Sequence, residues 1–212
     1  MGCCESIMRV MLGSGGSGGD KHGGNAGMEL GEATSKPFTI HSTMTGKNVI
    51  VEGGKVSGTG VALGCAPVEQ DSAYWEATVT SLPPGGIISL GVSRRPPQDE
   101  DSEVLLGNSV LGDGERTWGF CTKDEGAAAT LQEGDVIGIA LDFTDFPMLF
   151  FSSGGTPLGQ GDELAVMRIR GTVYPAVGVG GGAVVTMTFA GKSLVHQPPR
   201  KCQALVVGQD MM

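Results

Sequence analysis

The sequence has few basic residues, which limits the kinds of partner it can bind. Fourteen Lys and Arg stand against 23 Asp and Glu in 212 residues, so the net charge is −9. Nucleic-acid-binding proteins concentrate basic side chains on one surface in order to neutralise phosphates. We therefore expect no nucleic-acid partner.

The sequence also lacks the patterns of membrane spans, export and metal binding. No run of 18 apolar residues occurs, and the N-terminus lacks the basic flank and long apolar stretch of a secretory signal. Five cysteines, two of them adjacent near the N-terminus and three far apart, predict no disulfide framework. The three histidines lie in different segments and no Cys-x-x-Cys occurs, so we expect no metal and no cofactor.

Glycine is abundant, at 37 of 212 residues, yet 40% of the residues are apolar and no Gly-X-Y period appears. Neither a collagen-like chain nor wholesale disorder fits this composition. The glycines instead separate many short apolar runs, which favours a chain of short strands joined by turns.

The first residues, MGCCES, match the pattern for N-myristoylation, with Gly2 at the new N-terminus once the initiator Met is removed. A single myristoyl chain binds a membrane only marginally, with a partition constant of about 10⁴ M⁻¹, so stable attachment needs a second signal. Cys3 and Cys4 are suitable palmitoylation sites. We predict that residues 1–12 form a lipidation segment; an unmodified tail is the alternative.

Residues 13–33 begin with GSGGSGGDKHGGNAG and show no apolar periodicity. Their glycine content predicts a flexible coil, with an end-to-end distance of roughly 20 Å for its first 15 residues. A flexible spacer of this kind would hold an acidic domain away from an anionic membrane surface.

From residue 34 to residue 208 the sequence reads as strand-like runs between glycine turns. The most apolar run, 135–153, predicts a hairpin whose turn lies at Thr144 to Pro147, because Asp and Pro suit a turn. Ile137, Ile139 and Leu141 share one face of its first strand, and the residues of the other face are small and largely apolar. Such a strand has neighbours on both faces and lies in the centre of a core.

Residues 94–116 form the longest stretch without strand character in this region, and the stretch is acidic. Long loops in compact domains are often functional. A solvated loop and a partner-binding loop both remain open; the binding alternative predicts a basic partner peptide, on charge alone.

The order of motifs resembles the SPRY domain family over roughly residues 36–191. The motifs that carry the resemblance are YWEATV (74–79), IISLGVS (87–93), TWGF (117–120), EGDVIGIALDF (133–143) followed by MLFFSSGGTPLG (148–159), and YPAVGV (174–179) with VTMTFAG (185–191).

The resemblance implies an all-β fold, namely a bent antiparallel β-sandwich of the concanavalin-like jelly-roll kind over residues 34–208. It also implies protein binding through loops at one edge, with no catalysis. The segment that follows YPAV is expected to be a glycine-lined surface loop. The candidate partner-binding residues are Arg94, Arg95, Asp99, Glu100, Asp101, Asp145, Phe146, Gly178, Val179 and Gly180.

These observations together predict a monomeric adaptor, tethered by lipid to the cytoplasmic face of a membrane, that recruits a protein or peptide. The N-terminus resembles the doubly acylated N-termini that often mark the flagellar membrane in flagellated protists, so the plasma and flagellar membranes are both expected candidates. The alternative function is small-molecule or glycan binding, because sandwiches also hold such ligands in loop clefts.

Overall fold

The computed structural model describes residues 37–96, 106–123, 131–158 and 166–207. None of the helices within these ranges is long and apolar enough to cross a membrane. Several predictions fall outside the described residues: the lipidation sites Gly2, Cys3 and Cys4, the linker 13–33, and the acidic residues Asp99, Glu100 and Asp101.

The described residues form thirteen strands, with one turn of 3₁₀ helix at Gly191–Ser193 between the twelfth and the thirteenth strand. The strands are β1 (Ile40–Thr45), β2 (Asn48–Glu52), β3 (Lys55–Gly64), β4 (Ser72–Ser81), β5 (Ile87–Arg94), β6 (Thr117–Cys121), β7 (Val136–Asp142), β8 (Met148–Ser153), β9 (Thr156–Pro157), β10 (Val166–Met167), β11 (Val173–Gly180), β12 (Val184–Thr188) and β13 (Gln203–Ala204).

The strands form one curled sheet that folds into two facing halves, with order β10-β8-β7-β4-β12-β3-β11-β5-β6. The pairing is antiparallel except for the short β13, which runs parallel to β4. Strand β3 belongs to both halves, since Val56 pairs with β12 and Leu63 pairs with β11. Between them Gly58 and Gly60 have φ of 94° and 131°, which side-chain-bearing residues rarely adopt. The predicted all-β antiparallel sandwich is confirmed.

The main core lies between the two halves of the sheet. Trp75 of β4 and Trp118 of β6 are almost fully buried in it. Phe120 and Phe151 meet edge to face across the core, with ring centroids 4.7 Å apart. The predicted hairpin is present as β7 and β8, with Ile139 opposite Phe151. Each of these large side chains contributes about 1.5–3 kcal/mol by its burial.

A second, smaller apolar cluster lies on the outer face of the half of the sheet that contains β3, β11 and β5. Leu106 and Leu111, from the connection that leads into β6, pack there against Leu63 and Ala176. The Leu111 N–H donates to Ser89 Oγ at 2.8 Å, so a hydrogen bond also holds this segment against the sheet.

Gly178, Val179 and Gly180 do not lie in a surface loop, so the prediction made for them from the sequence is wrong. They are buried residues of β11, paired with β5 on one side, and Gly178 and Val179 also pair with β3 on the other. A Cβ on Gly178 would lie 2.2 Å from the carbonyl oxygen of Ser109, in the covering segment. Glycine is needed here because two backbones approach closely, a use of glycine that its sequence pattern does not distinguish from a turn.

Candidate partner-binding site

Four connections meet at one end of the sandwich, which we call the loop end: those between β3 and β4, β5 and β6, β7 and β8, and β10 and β11. In the β3–β4 connection, Val68 N–H donates to the Val173 carbonyl at 2.9 Å, at the start of β11. In the same connection, the Asp71 carbonyl accepts from Phe143 N–H at 2.7 Å, at the end of β7. Arg94, the last residue of β5, pairs with Val173 and so lies at this end too.

Four of the predicted binding residues lie at the loop end. Arg94 is half-buried at the end of β5 and Arg95 is exposed beside it. Asp145 and Phe146 occupy the β7–β8 turn, and 79% of the Phe146 surface is exposed. Topology therefore brings together residues that are about 50 positions apart in the chain.

The β7–β8 turn that presents Phe146 is held by Asp142. Its Oδ1 accepts hydrogen bonds from Thr144 N–H at 2.8 Å and from Thr144 Oγ1 at 2.7 Å. The backbone bond from Thr144, followed by the side-chain bond, lowers the pKa of Asp142 below its usual value. The carboxylate form thus fixes the start of the turn.

A second feature of the loop end is a recess of about 360 Å³, the arginine cleft, which lies next to Trp118. Three basic side chains line it, and Glu115 is the one acidic side chain among the described lining residues. The lining residues are Arg94, Arg168, Arg170, Gly114, Glu115 and Trp118.

Arg94 is fixed in orientation within the arginine cleft. Its Nε donates to the carbonyl of Arg170 at 2.8 Å, and its Cζ lies 5.6 Å from the centroid of the Trp118 ring, a cation–π distance. Gly171, which has a φ of 75°, lies beside it: a Cβ there would be in ordinary contact with Arg94 Nε, at 3.5 Å. Among the described residues, no group accepts a hydrogen bond from the terminal nitrogens of Arg94.

Sequence reasoning missed Arg168 and Arg170. They belong to no predicted strand, and they reach Arg94 only because β10 and β11 return to the loop end. The local signal was a pair of arginines on either side of one apolar residue, Ile169, which is buried while both arginines are exposed.

A separate cavity of about 420 Å³, the C-terminal cavity, lies between the outer face of β4, β7 and β8 and the segment that follows β12. Its sheet side includes the small residues Gly138 and Ala140 and the aromatic Phe150, and its other side includes His196 and Pro199. This placement explains why the second face of β7 carries small apolar residues.

Buried Glu76 of β4, 1% exposed, fastens the C-terminal segment beside this cavity. Its two oxygens accept hydrogen bonds from Val195 N–H at 2.6 Å, His196 N–H at 2.8 Å and the Tyr74 hydroxyl at 3.0 Å. His196 Nδ1 lies a further 3.2 Å from Oε1. One carboxylate thus satisfies donors from a segment about 120 residues away.

Two side chains that line the C-terminal cavity have pKa values raised above the ordinary ones. Burial, followed by the nearby charge of Glu76, raises the pKa of Tyr74, so its hydroxyl remains a proton donor. Burial, followed by the charge of Asp142, raises the pKa of the Cys202 thiol. Neither group is activated as a nucleophile, because the thiolate and the phenolate are the reactive forms.

The fold defines the class of this protein: an antiparallel β-sandwich whose loops at one end carry exposed side chains such as Phe146. The family model for the SPRY domain matches residues 72–192, more than half of the chain. The chain belongs to the SPRY domain family, whose domains are in general protein–protein interaction modules.

Relatives matched over most of their length agree with this assignment, and solved structures share the fold. SPRY domain-containing protein 7 of Gallus gallus is 26% identical over 197 residues, which are 90% of this chain and 93% of the relative. The Homo sapiens protein of that name is 26% identical over 198 residues, with the same coverage. The neuralized NHR1 domain of Drosophila melanogaster shares the fold, with TM-score 0.54, 12% identity, and coverage of 74% of this chain and all of that domain. The TRIM65 PSpry domain gives TM-score 0.50 at 15% identity and covers 72% of this chain and 90% of that chain.

Proposed function

We propose that this protein is a membrane-tethered adaptor: a lipid anchor at Gly2, Cys3 and Cys4, a glycine-rich tether, and a SPRY domain that binds a protein partner through its loop end. The observation that carries the binding role is the exposed Phe146, presented on a fixed turn at the same end as the arginine cleft. Exposed aromatic and arginine side chains are enriched among residues that contribute most to protein–protein binding.

The membrane part of the proposal rests on the residue pattern of the N-terminus. The myristoylation pattern supplies a first, weak attachment, and two adjacent cysteines supply sites for a second acyl chain. Both attachments would place the domain at the cytoplasmic face of the plasma membrane or of a flagellar membrane.

Fractionation of cells that express variants of the full chain tests the anchor. Gly2→Ala should move the protein into the soluble fraction, because the first acyl chain is lost. Cys3→Ser/Cys4→Ser should leave a weakly and reversibly bound protein, because one myristoyl chain remains. Membrane association unchanged in both variants would exclude the lipid anchor.

Capture of partners by the full chain, followed by titration of the purified partner, tests the binding face. Phe146→Ala should weaken binding about tenfold or more, as expected for a central aromatic contact. Ile50→Ala is the matched control, since Ile50 is also an exposed apolar residue, at 56%, but lies on β2. If both variants bind as the wild type does, the turn at Phe146 is not part of the interface.

The C-terminal cavity supports a second candidate function, the binding of a small molecule or glycan. Its volume of about 420 Å³ lies within the range of small-ligand sites. A thermal-shift screen with metabolites and glycans should find a stabilising ligand whose effect disappears when Ala140→Leu fills the cavity. A ligand that acts on both proteins equally, or the absence of any ligand, would dismiss this candidate.

A further inference from the structure

The arginine cleft collects positive charge on a chain whose net charge is −9. Arg94, Arg168 and Arg170 line it against one carboxylate, that of Glu115. Within the described part of the chain, no acidic side chain forms an ion pair with any of these arginines. Three arginines that share a recess with one carboxylate among its described lining residues repel one another, and such a cluster is typical of a site whose counter-charge comes from a ligand.

The donors of the arginine cleft are positioned in advance. Arg94 uses its Nε on the backbone and stacks near Trp118, which leaves the paired terminal nitrogens available. A guanidinium held in this way can bind two oxygens of one carboxylate or phosphate group at little further cost in entropy.

The backbone of the cleft is also unusual at Arg168. Its φ of 66° is rare for a residue with a side chain, and the exposed Arg168 and Arg170 flank the buried Ile169. Strained backbone of this kind clusters at binding sites.

We propose that the arginine cleft binds a carboxylate or phosphate group of an acidic or phosphorylated protein segment. This inference rests on the proposed adaptor function and specifies the chemistry of the partner; it gives that partner the opposite charge from the basic peptide expected from the acidic stretch 94–116. A protein segment fits better than a membrane surface, because the site is a recess with Glu115 beside it. The net negative charge of the chain also opposes close approach to an anionic leaflet.

The test uses the full, unmodified chain and the indole N–H resonances of its two tryptophans. Trp118 lines the cleft, whereas Trp75 lies in the core and is the internal reference. The probes are capped pentapeptides with phosphoserine, Glu, Ser or Lys between glycines, then inorganic phosphate, then vesicles of phosphatidylcholine with phosphatidylserine. We expect a saturable shift of the Trp118 resonance with the phosphoserine and Glu peptides, none with Ser or Lys, and weaker binding at higher salt.

Arg168→Asn/Arg170→Gln removes two of the three charges, and Asn is chosen because it tolerates positive φ. The affinity of this variant for the anionic peptides should be lower by about tenfold or more. Lys47→Ala/Lys55→Ala is the matched control: it removes the same charge from two exposed residues outside the cleft and should change the affinity less than about twofold.

The inference is overturned if there is no saturable shift with either anionic peptide, if Trp75 and Trp118 shift equally, or if Arg168→Asn/Arg170→Gln binds undiminished. Binding of vesicles alone, lost in that variant, would replace the protein segment by a lipid headgroup. Inorganic phosphate that binds as tightly as the phosphoserine peptide would indicate a free-anion site and would likewise overturn it.

The inference and the adaptor function can fail separately. If wild-type protein captures a partner and Arg168→Asn/Arg170→Gln captures it equally well, the adaptor function stands and the charge inference falls. If no partner is captured although the peptides bind the cleft, the anion site stands and the adaptor function falls.

Discussion

Replacement of Glu76 by Gln should destabilise the protein more than any comparable change of a surface glutamate. The carboxylate is buried, and its oxygens face N–H and O–H donors: the amides of Val195 and His196 and the hydroxyl of Tyr74. Gln keeps the shape of Glu but has one oxygen and one NH₂ group. Whichever way the Gln side chain is oriented, its NH₂ group faces at least one of these N–H or O–H donors instead of an acceptor.

The magnitude follows from these contacts. At least one hydrogen bond to a charged acceptor is lost, and such a bond contributes about 1.5–3 kcal/mol. We therefore expect Glu76→Gln to lower the free energy of unfolding by about 2–3 kcal/mol. This is a large part of a typical stability of about 5–15 kcal/mol, yet it leaves the protein folded.

Urea unfolding followed by circular dichroism measures the loss, with Glu52→Gln as the matched control, since Glu52 is exposed on β2. Amide hydrogen exchange adds a local readout: Val195 and His196 should exchange faster in Glu76→Gln, because the carboxylate no longer holds their N–H groups. A loss below about 0.5 kcal/mol, the size typical of ordinary surface substitutions, with unchanged exchange, would show that Glu76 does not fasten the C-terminal segment.

Two further predictions concern other segments. Gly178→Ala should cost about 1–3 kcal/mol in urea unfolding, because its Cβ would lie 2.2 Å from the Ser109 carbonyl oxygen, whereas Gly107→Ala, where no atom is within 4 Å and the backbone has no positive φ, should cost less; equal losses would contradict the close packing. Burial would raise the pKa of Asp113, but hydrogen bonds from the backbone N–H groups of Thr117, Arg116 and Glu115 outweigh it and the pKa is lowered. The stability that Asp113 contributes is therefore complete above its unfolded pKa of about 3.9 and is lost as pH falls through the lower folded pKa. The difference in unfolding free energy between wild type and Asp113→Ala should accordingly shrink below about pH 4. A difference that does not depend on pH would refute this prediction.

Sequence patterns predicted the strands well where a strand alternates or is buried on both faces. The β7–β8 hairpin is where its apolar run and turn residues indicate. The assumption that glycine marks a turn failed at Gly178, because a glycine required for close backbone contact looks in the sequence like a glycine required for a turn.

The site was less predictable, since its residues come together only through the topology. Arg94 and Phe146 were identified from loop positions, but Arg168 and Arg170 became visible only once β10 and β11 were placed. The contact between Glu76 and His196 joins two segments about 120 residues apart. No local periodicity reports a contact of that range.

The position of β11 has a consequence for how the chain is made. This strand lies between β3 and β5, yet its last residue, Gly180, is synthesised 86 residues after Arg94, the last residue of β5. At typical rates of synthesis, the facing edges of β3 and β5 lack their shared neighbour for on the order of ten seconds. The nascent domain thus exposes two unpaired strand edges in its middle, which is the kind of surface that chaperones protect. A ribosome that stalls before Val173 releases a chain that lacks the centre of its sheet rather than its border.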